Sequence, residues 1–227
     1  VCGRFTSTPE AAQVAERFGI AVPEEYRRRY NAAPAQQVLV VLEEPQTGGR
    51  LAEMMRWGLV PHWAKDPSVG YKMINARAET VLEKPAYRSL MKSRRCLVPA
   101  DGFYEWRVAA DGKKEPARFT LDAGELFAFA GLWSRWLDHA SGELLDSCTI
   151  LTTVANELVA PVHDRMPVIL PRAAEDAWLD PELPPAAAAA LLVPYPAELM
   201  RALPASRRLN SARYDEPELL EPDALAA

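Results

Sequence analysis

The sequence predicts an α+β fold: a single domain over 1–227, built on a curved, barrel-like, mainly antiparallel sheet flanked by short helices. Three observations carry this. Short β-patterned runs are mixed with short helical ones, without the strict alternation of a parallel, doubly wound sheet. Twenty prolines divide the chain into brief elements and rigid loops. No internal repeat and no long linker interrupts the 227 residues, a length suited to one large domain.

The elements follow in order. Residues 9–19 read as a short amphipathic helix, with Thr8 as cap, Pro9 as first helical residue, and Ala12, Val14, Ala15 and Phe18 on one side. Residues 37–42 and 51–60 read as strands around a turn at 44–49 that holds Pro45, Gly48 and Gly49. Residues 77–82 and 86–92 suggest short helices split by Pro85. A strand-like stretch over 96–106 is broken near Pro99 and Gly102. Residues 117–121, 126–133 and 147–153 complete a β-rich set, and Asp111-Gly112 signals a hairpin. A short helix is expected at 156–161, a strand at 168–170, helices at 172–179 and 185–192, and a last strand at 199–203. The acidic tail, 215–227, is expected to be loosely ordered.

Composition narrows the functional classes. Apolar residues make up 49% and charged residues 25%, ordinary for a soluble globular chain. No apolar run is long enough to span a membrane, and the N-terminus lacks the regions of a signal peptide. Three cysteines, Cys2, Cys96 and Cys148, form neither a zinc-type spacing nor a disulfide framework. A reducing cytoplasm is the expected compartment. A net charge of −5 argues against coating nucleic acid by bulk charge. The charge is uneven, however: between Tyr71 and Arg118 eleven basic residues stand against six acidic ones. That is compatible with a local phosphate-binding groove and equally with a solvated charged surface.

Cys2 is the residue with the most distinctive chemistry. A cysteine that begins a chain carries a thiol and an α-amine on adjacent carbons. Such a 1,2-aminothiol condenses with an aldehyde to an imine, and the thiol then closes a five-membered thiazolidine. The amine suits this, because its pKa of about 8 leaves much of it unprotonated near neutrality. Val1 precedes Cys2 in the sequence. A GTG start codon is conceptually translated as Val but read as Met, which is removed before a small residue, so the native chain is expected to begin at Cys2. An ordinary small buried cysteine is the competing reading.

Other segments carry polar residues in apolar or turn-rich settings. Asn75 and Arg77, two apart on an extended run, share one face. Asn75 can orient an aldehyde oxygen or a sugar hydroxyl, and Arg77 can grip a phosphate, unless the pair is a turn Asn and a surface Arg. Glu105 lies between Tyr104 and Trp106, a setting that raises a carboxyl pKa and suits acid–base work if the side chain is not merely exposed. His163, in His163-Asp164-Arg165-Met166-Pro167, is one of three histidines and can shuttle a proton. Trp57 and Trp63 flank a turn and are platforms for unstacked bases, or else core residues. No cluster has metal-ligand spacing, and no cofactor is expected.

These segments together resemble the SRAP domain family, whose members crosslink covalently to abasic sites in single-stranded DNA. The likeness rests on Cys2-Gly3-Arg4-Phe5, Trp57-Gly58-Leu59-Val60-Pro61, Asn75-Ala76-Arg77-Ala78-Glu79, Gly102-Phe103-Tyr104-Glu105-Trp106 and His163-Asp164-Arg165-Met166-Pro167, with a closing Asn210-Ser211 and Asp215-Glu216-Pro217. It covers nearly the whole chain in order, and Val1 is its one departure. The resemblance implies Cys2, Asn75, Glu105 and His163 as catalytic residues. It implies Arg4, Arg77, Trp57, Trp63 and Arg165 as DNA contacts, with Arg4 and Arg77 on the flanking phosphates. It implies a partner in single-stranded DNA carrying an abasic site, including at junctions with duplex, and a monomer that meets no membrane and joins the nucleoid when engaged on DNA. Two other classes stay open: an N-terminal-nucleophile cysteine peptidase or amidohydrolase, and a non-covalent single-strand binding module with Cys2 incidental.

Overall fold

The computed structural model describes residues 2–44, 46–108, 112 and 114–221. It is a single α+β domain with two sheets. The strands are β1 (Phe5–Ser7), β2 (Arg29–Ala32), β3 (Gln37–Glu43), β4 (Arg50–Trp57), β5 (Asn75–Arg77), β6 (Arg95–Ala100) and β7 (Gly102–Val108). They continue with β8 (Lys114–Leu121), β9 (Phe127–Leu137), β10 (Leu144–Val154), β11 (Arg165–Pro167), β12 (Ile169–Leu170) and β13 (Met200–Pro204). The helices are α1 (Ala11–Phe18), α2 (Pro85–Arg88), α3 (Leu90–Ser93), α4 (Glu175–Leu179) and α5 (Pro185–Ala189).

One sheet runs β13-β8-β7-β1-β2. In the other, β4, β3, β6, β9 and β10 pair in succession, and β10 pairs back onto β4, which closes a five-stranded ring. The closing pair, Ser147↔Arg56 and Cys148↔Trp57, is parallel, whereas the ring's other pairings are antiparallel. Closure removes the exposed edges of those five strands. β5, β11 and β12 attach to β10 and β9.

Strand alternation assigns the two faces of the ring to different cores. In β3, Val38, Val40 and Leu42 join Phe5, Phe103 and Phe119 of the other sheet. Leu39 and Val41 join Val14 and Phe18 of α1, Met91 of α3 and Trp178 of α4. Phe5 sits edge-on to Trp57 at 5.1 Å and to Phe129 at 5.8 Å. Burying one such ring is worth about 1.5–3 kcal/mol, which anchors β1 three residues from Cys2.

Several local expectations are corrected. α1 starts at Ala11, because Thr8 is engaged elsewhere: its N–H and hydroxyl both donate to the Asp101 carboxylate. Glu10 precedes the helix instead, its N–H donating to Gln13 Oε1 at 2.9 Å, and Gly19 ends it at φ 67°. Pro85 does not split two helices; it is the first residue of α2. The segment expected as helix from 77 holds the end of β5 and one 3-10 turn, Ala78–Thr80. Residues 156–161 form turns: Asn156 Oδ1 caps the N–H groups of Leu158 and Val159 and Ala160 N–H reaches Asn156 O, but Pro161 has no N–H to carry the ladder on. α5 stops at Ala189, and β1 and β2 were not anticipated. Of the Asp111-Gly112 turn, Asp111 lies outside the described residues; the flanking strands pair antiparallel up to Val108↔Lys114.

The described part of the acidic tail is packed. Asp215 Oδ1 accepts the N–H groups of Tyr30 and Asn31, both at 2.6 Å, and Asp215 Oδ2 pairs with Arg29 at 2.6 Å. Leu219 is buried against Tyr30 and Tyr104. Residues 222–227 lie outside the described residues.

Candidate functional site

Cys2 leads into β1, which lies between β2 and β7. Its side chain is fully buried in the core shared by the two sheets, and its Sγ lies 3.6 Å from Arg4 O. Burial holds the thiol well above its ordinary pKa, and the Glu105 carboxylate adds to the effect. The sulfur is therefore kept as a thiol.

Asn75 begins β5, which runs parallel to β10 with Asn75 opposite Ile150. Trp57 Nε1 donates to Ile74 O at 2.9 Å and fixes the approach to this strand. Gly58 is required beside it: at φ 129° a Cβ would lie 2.6 Å from Gly70 O, so two loop backbones touch only because both residues are glycine. Asn75 Nδ2 donates to Cys2 O at 2.8 Å. Its Oδ1 is buried with no hydrogen-bond partner among the described residues, an acceptor available to a hydroxyl or ammonium donor. Loss of one such bond costs about 1 kcal/mol. Asn75→Ala is accordingly expected to raise the alkylation rate of Cys2 by iodoacetamide about five-fold, read by mass spectrometry. An unchanged rate would mean that the bond does not hold the segment.

Glu105 lies on β7 opposite Ala117, on the same face as Phe103. It is 3% exposed. Burial pushes its carboxyl up to about 7, and the nearby Asp164 charge contributes. At neutral pH the group is divided between acid and base. The Glu105 charge acts on Cys2 and the Asp164 charge on Glu105, so the β7 carboxyl lies within electrostatic reach of both Cys2 and the residue after His163.

His163 precedes β11 and is partly buried, which lowers its pKa. Its Nδ1 lies 3.0 Å from the Arg165 N–H and 2.9 Å from Asp164 Oδ1. The amide hydrogen is fixed in place, whereas the Asp164 side chain is 87% exposed and free to turn to water. The amide therefore decides the tautomer: Nδ1 accepts, and the proton of the neutral ring sits on Nε2.

The expected DNA contacts separate into two groups. Arg77 is exposed, on the face of β5 that carries Asn75, and Trp63 is 58% exposed. Trp57 is fully buried and presents no ring face to solvent. Arg4 is half-buried, its Nη1 donating to Leu209 O at 2.9 Å and Asn31 Oδ1 at 3.3 Å. Arg165 is 9% exposed. Its guanidinium meets Glu79 at 2.6 and 2.9 Å and Thr152 O at 2.7 Å.

The structure thus brings Cys2, Asn75, Glu105 and the His163 loop together from four separate segments. Sequence reasoning missed Asn31 and Glu79. Asn31 is fully buried and its Nδ2 donates to the carbonyls of Ser211 and Tyr214 at 3.0 and 2.8 Å. Its signal was a lone amide inside Arg29-Tyr30-Asn31-Ala32, a run without clear alternation. Glu79 stood in a recognised motif, and an acid four residues after Asn75 was its only signal. Among the described residues no His, Cys, Asp and Glu group is placed to hold a metal ion, and no helix is long and apolar enough to cross a membrane.

A family model described as SOS response associated peptidase (SRAP) matches residues 1–212. The abasic site processing protein YoqW of Bacillus subtilis (strain 168) is 46% identical over 225 residues, covering 97% of this chain and 99% of that one. The abasic site processing protein HMCES of Gallus gallus is 38% identical over 226 residues, covering 87% of this chain and 67% of that one. Among solved structures, a crystal structure of a protein from Bacteroides thetaiotaomicron matches with a TM-score of 0.88 at 28% identity, covering 97% of this chain and 99% of that one.

Proposed function

The chain belongs to the SOS response associated peptidase (SRAP) family, and from that premise we propose that it captures abasic sites in single-stranded DNA through a covalent thiazolidine at Cys2. The observation that carries the proposal is the setting of Cys2. Its carbonyl is held by Asn75, and it lies within the electrostatic reach of a carboxyl poised near pH 7.

An abasic deoxyribose is mainly a cyclic hemiacetal. As the C1′–O4′ bond breaks, the ring oxygen takes the proton of His163 Nε2–H and the anomeric hydroxyl proton returns through water to Nε2, which releases the aldehyde. The Cys2 α-amine, freed by removal of Val1, adds to C1′ and gives a carbinolamine. Glu105, as the acid, protonates the leaving hydroxyl, water departs, and an imine remains. The Cys2 sulfur then bonds to C1′, the C=N pair moves to nitrogen, and the thiol proton passes through Glu105 to that nitrogen. No electron is gained or lost overall, and one water leaves. The same carboxyl can protonate the product nitrogen, which makes the link slowly reversible.

The burial that keeps the sulfur protonated favours this order over an N-terminal cysteine peptidase, whose first step needs a thiolate nucleophile. Here the amine attacks first and the thiol follows within one ring. Arg77 and Trp63 supply the exposed cation and ring face that a splayed strand would meet. A single strand presents the lesion without melting base pairs.

The test mixes the protein, with its N-terminus confirmed by intact mass, with a uracil-excised single-stranded oligonucleotide on a denaturing gel. A shifted band of one-to-one mass supports the reading. Release of an acyl or peptide fragment with turnover, and no shifted band, favours the peptidase. His163→Ala is expected to slow adduct formation by about 10²-fold, the lower end of an acid–base contribution. An unchanged single-turnover rate would remove its role in ring opening.

A further inference from the structure

We infer that Glu79 is a positioning residue for the His163 imidazole, acting through Arg165; the inference rests on the reading of His163 as the proton donor to the captured sugar. Glu79 lies in the 3-10 turn that directly follows β5, four residues after the Asn75 that holds Cys2. Its carboxylate takes the Arg165 guanidinium in a two-point fork, Nη1 to Oε1 at 2.6 Å and Nη2 to Oε2 at 2.9 Å. Arg165 Nη2 also donates to Thr152 O on β10 at 2.7 Å. The Arg165 backbone is meanwhile the opening residue of β11, paired with Val154, and its N–H is the group that fixes His163 Nδ1 at 3.0 Å.

One ion pair therefore ties the segment that holds Cys2 to the loop that holds the imidazole. A fork of this kind sets angle as well as distance. The arginine is almost fully buried, so removing Glu79 leaves its charge without a counter-ion and with only the neutral acceptors of Thr152. The side chain then turns toward water and draws the start of β11 with it. The amide loses its line to Nδ1. With Asp164 Oδ1 at 2.9 Å, the ring is free to carry its proton on Nδ1 instead, which leaves Nε2 as an acceptor where a donor is needed. A residue that only stabilised the fold would have no such effect on the tautomer.

The chain has three histidines, so the 15N spectrum of uniformly 15N-histidine-labelled protein is assignable by comparison with His163→Ala. At pH 8 the wild-type ring of His163 should show the Nε2–H pattern. In Glu79→Ala the pattern should move toward Nδ1–H. The single-turnover rate of adduct formation should fall about ten-fold, a fraction of the 10²–10⁴ that an acid–base residue contributes, with DNA affinity unchanged. Glu79→Gln keeps one acceptor oxygen and should recover part of both, and it serves if the alanine variant fails to fold. An unchanged His163 tautomer in both variants would overturn the inference. Failure of the wild type itself to form an adduct would instead strike the capture reading, and the spectra would still report on Glu79.

Discussion

Cys2→Ala is expected to abolish the denaturant-resistant adduct with abasic single-stranded DNA while leaving the fold in place. The alanine keeps the α-amine, so the imine still forms, but nothing closes the ring and the imine hydrolyses on denaturation. The expected loss is at least 10³-fold in adduct yield after heating. Cys2→Ser separates the two steps: borohydride should trap its imine on the gel, and without reductant little should remain. The cost to stability is modest. The thiol is buried in the core that also holds Phe5 and Trp57, and its loss removes one heavy atom, about 1 kcal/mol or less. Thermal melting checks this. A heat-stable adduct from Cys2→Ala would sink the thiazolidine and point to a lysine or another amine.

Glu105→Gln is expected to move activity and stability in opposite directions. The folded-state pKa of Glu105 is raised, from the ordinary carboxylate value to about 7, chiefly by burial. The folded chain therefore holds a proton that the unfolded chain releases between the two values. Stability from this group is full below the unfolded pKa of about 4.3 and is lost as pH rises through about 7. Well above pH 7 the wild type holds a buried carboxylate at a cost of about 3–4 kcal/mol. Glutamine has nearly the same shape and no charge. Its melting temperature at pH 8 should therefore exceed that of the wild type by several degrees, and the gain should vanish near pH 4. Adduct formation should slow by 10²-fold or more, and the inflection near pH 7 in the wild-type rate profile should disappear. Equal melting temperatures at pH 8 would show that the carboxyl is not strained in the folded state. An unchanged pH profile would remove it from the proton transfers.

Much of the site was legible because its chemistry is rare. A cysteine at position 2, a carboxylate between two aromatics and a histidine beside a β-patterned run are each visible in one dimension. The barrel-like sheet was legible from brief alternating runs. What was not legible depended on contacts across the fold. Trp57 and Trp63 border the same turn, and only the docking of the Trp57 indole on Ile74 O separates a core residue from an exposed one. Arg165 reads as a surface cation until its place opposite Glu79 is known. β2 escaped notice because Asn31 is a buried polar residue whose amide donates to carbonyls 180 and 183 residues away and accepts from Arg4.

The grip of segment 209–215 on β2 and Arg4 makes the far end of the fold a structural part of the Cys2 strand. Arg4 ends on Leu209 O, and Tyr30 and Asn31 end on Asp215. Removing residues 209–215 would strip Arg4, Tyr30, Asn31 and Arg29 of these acceptors at once. The segment therefore works as a clasp across β1 and β2, and the geometry around Cys2 depends on residues about two hundred positions away in the chain.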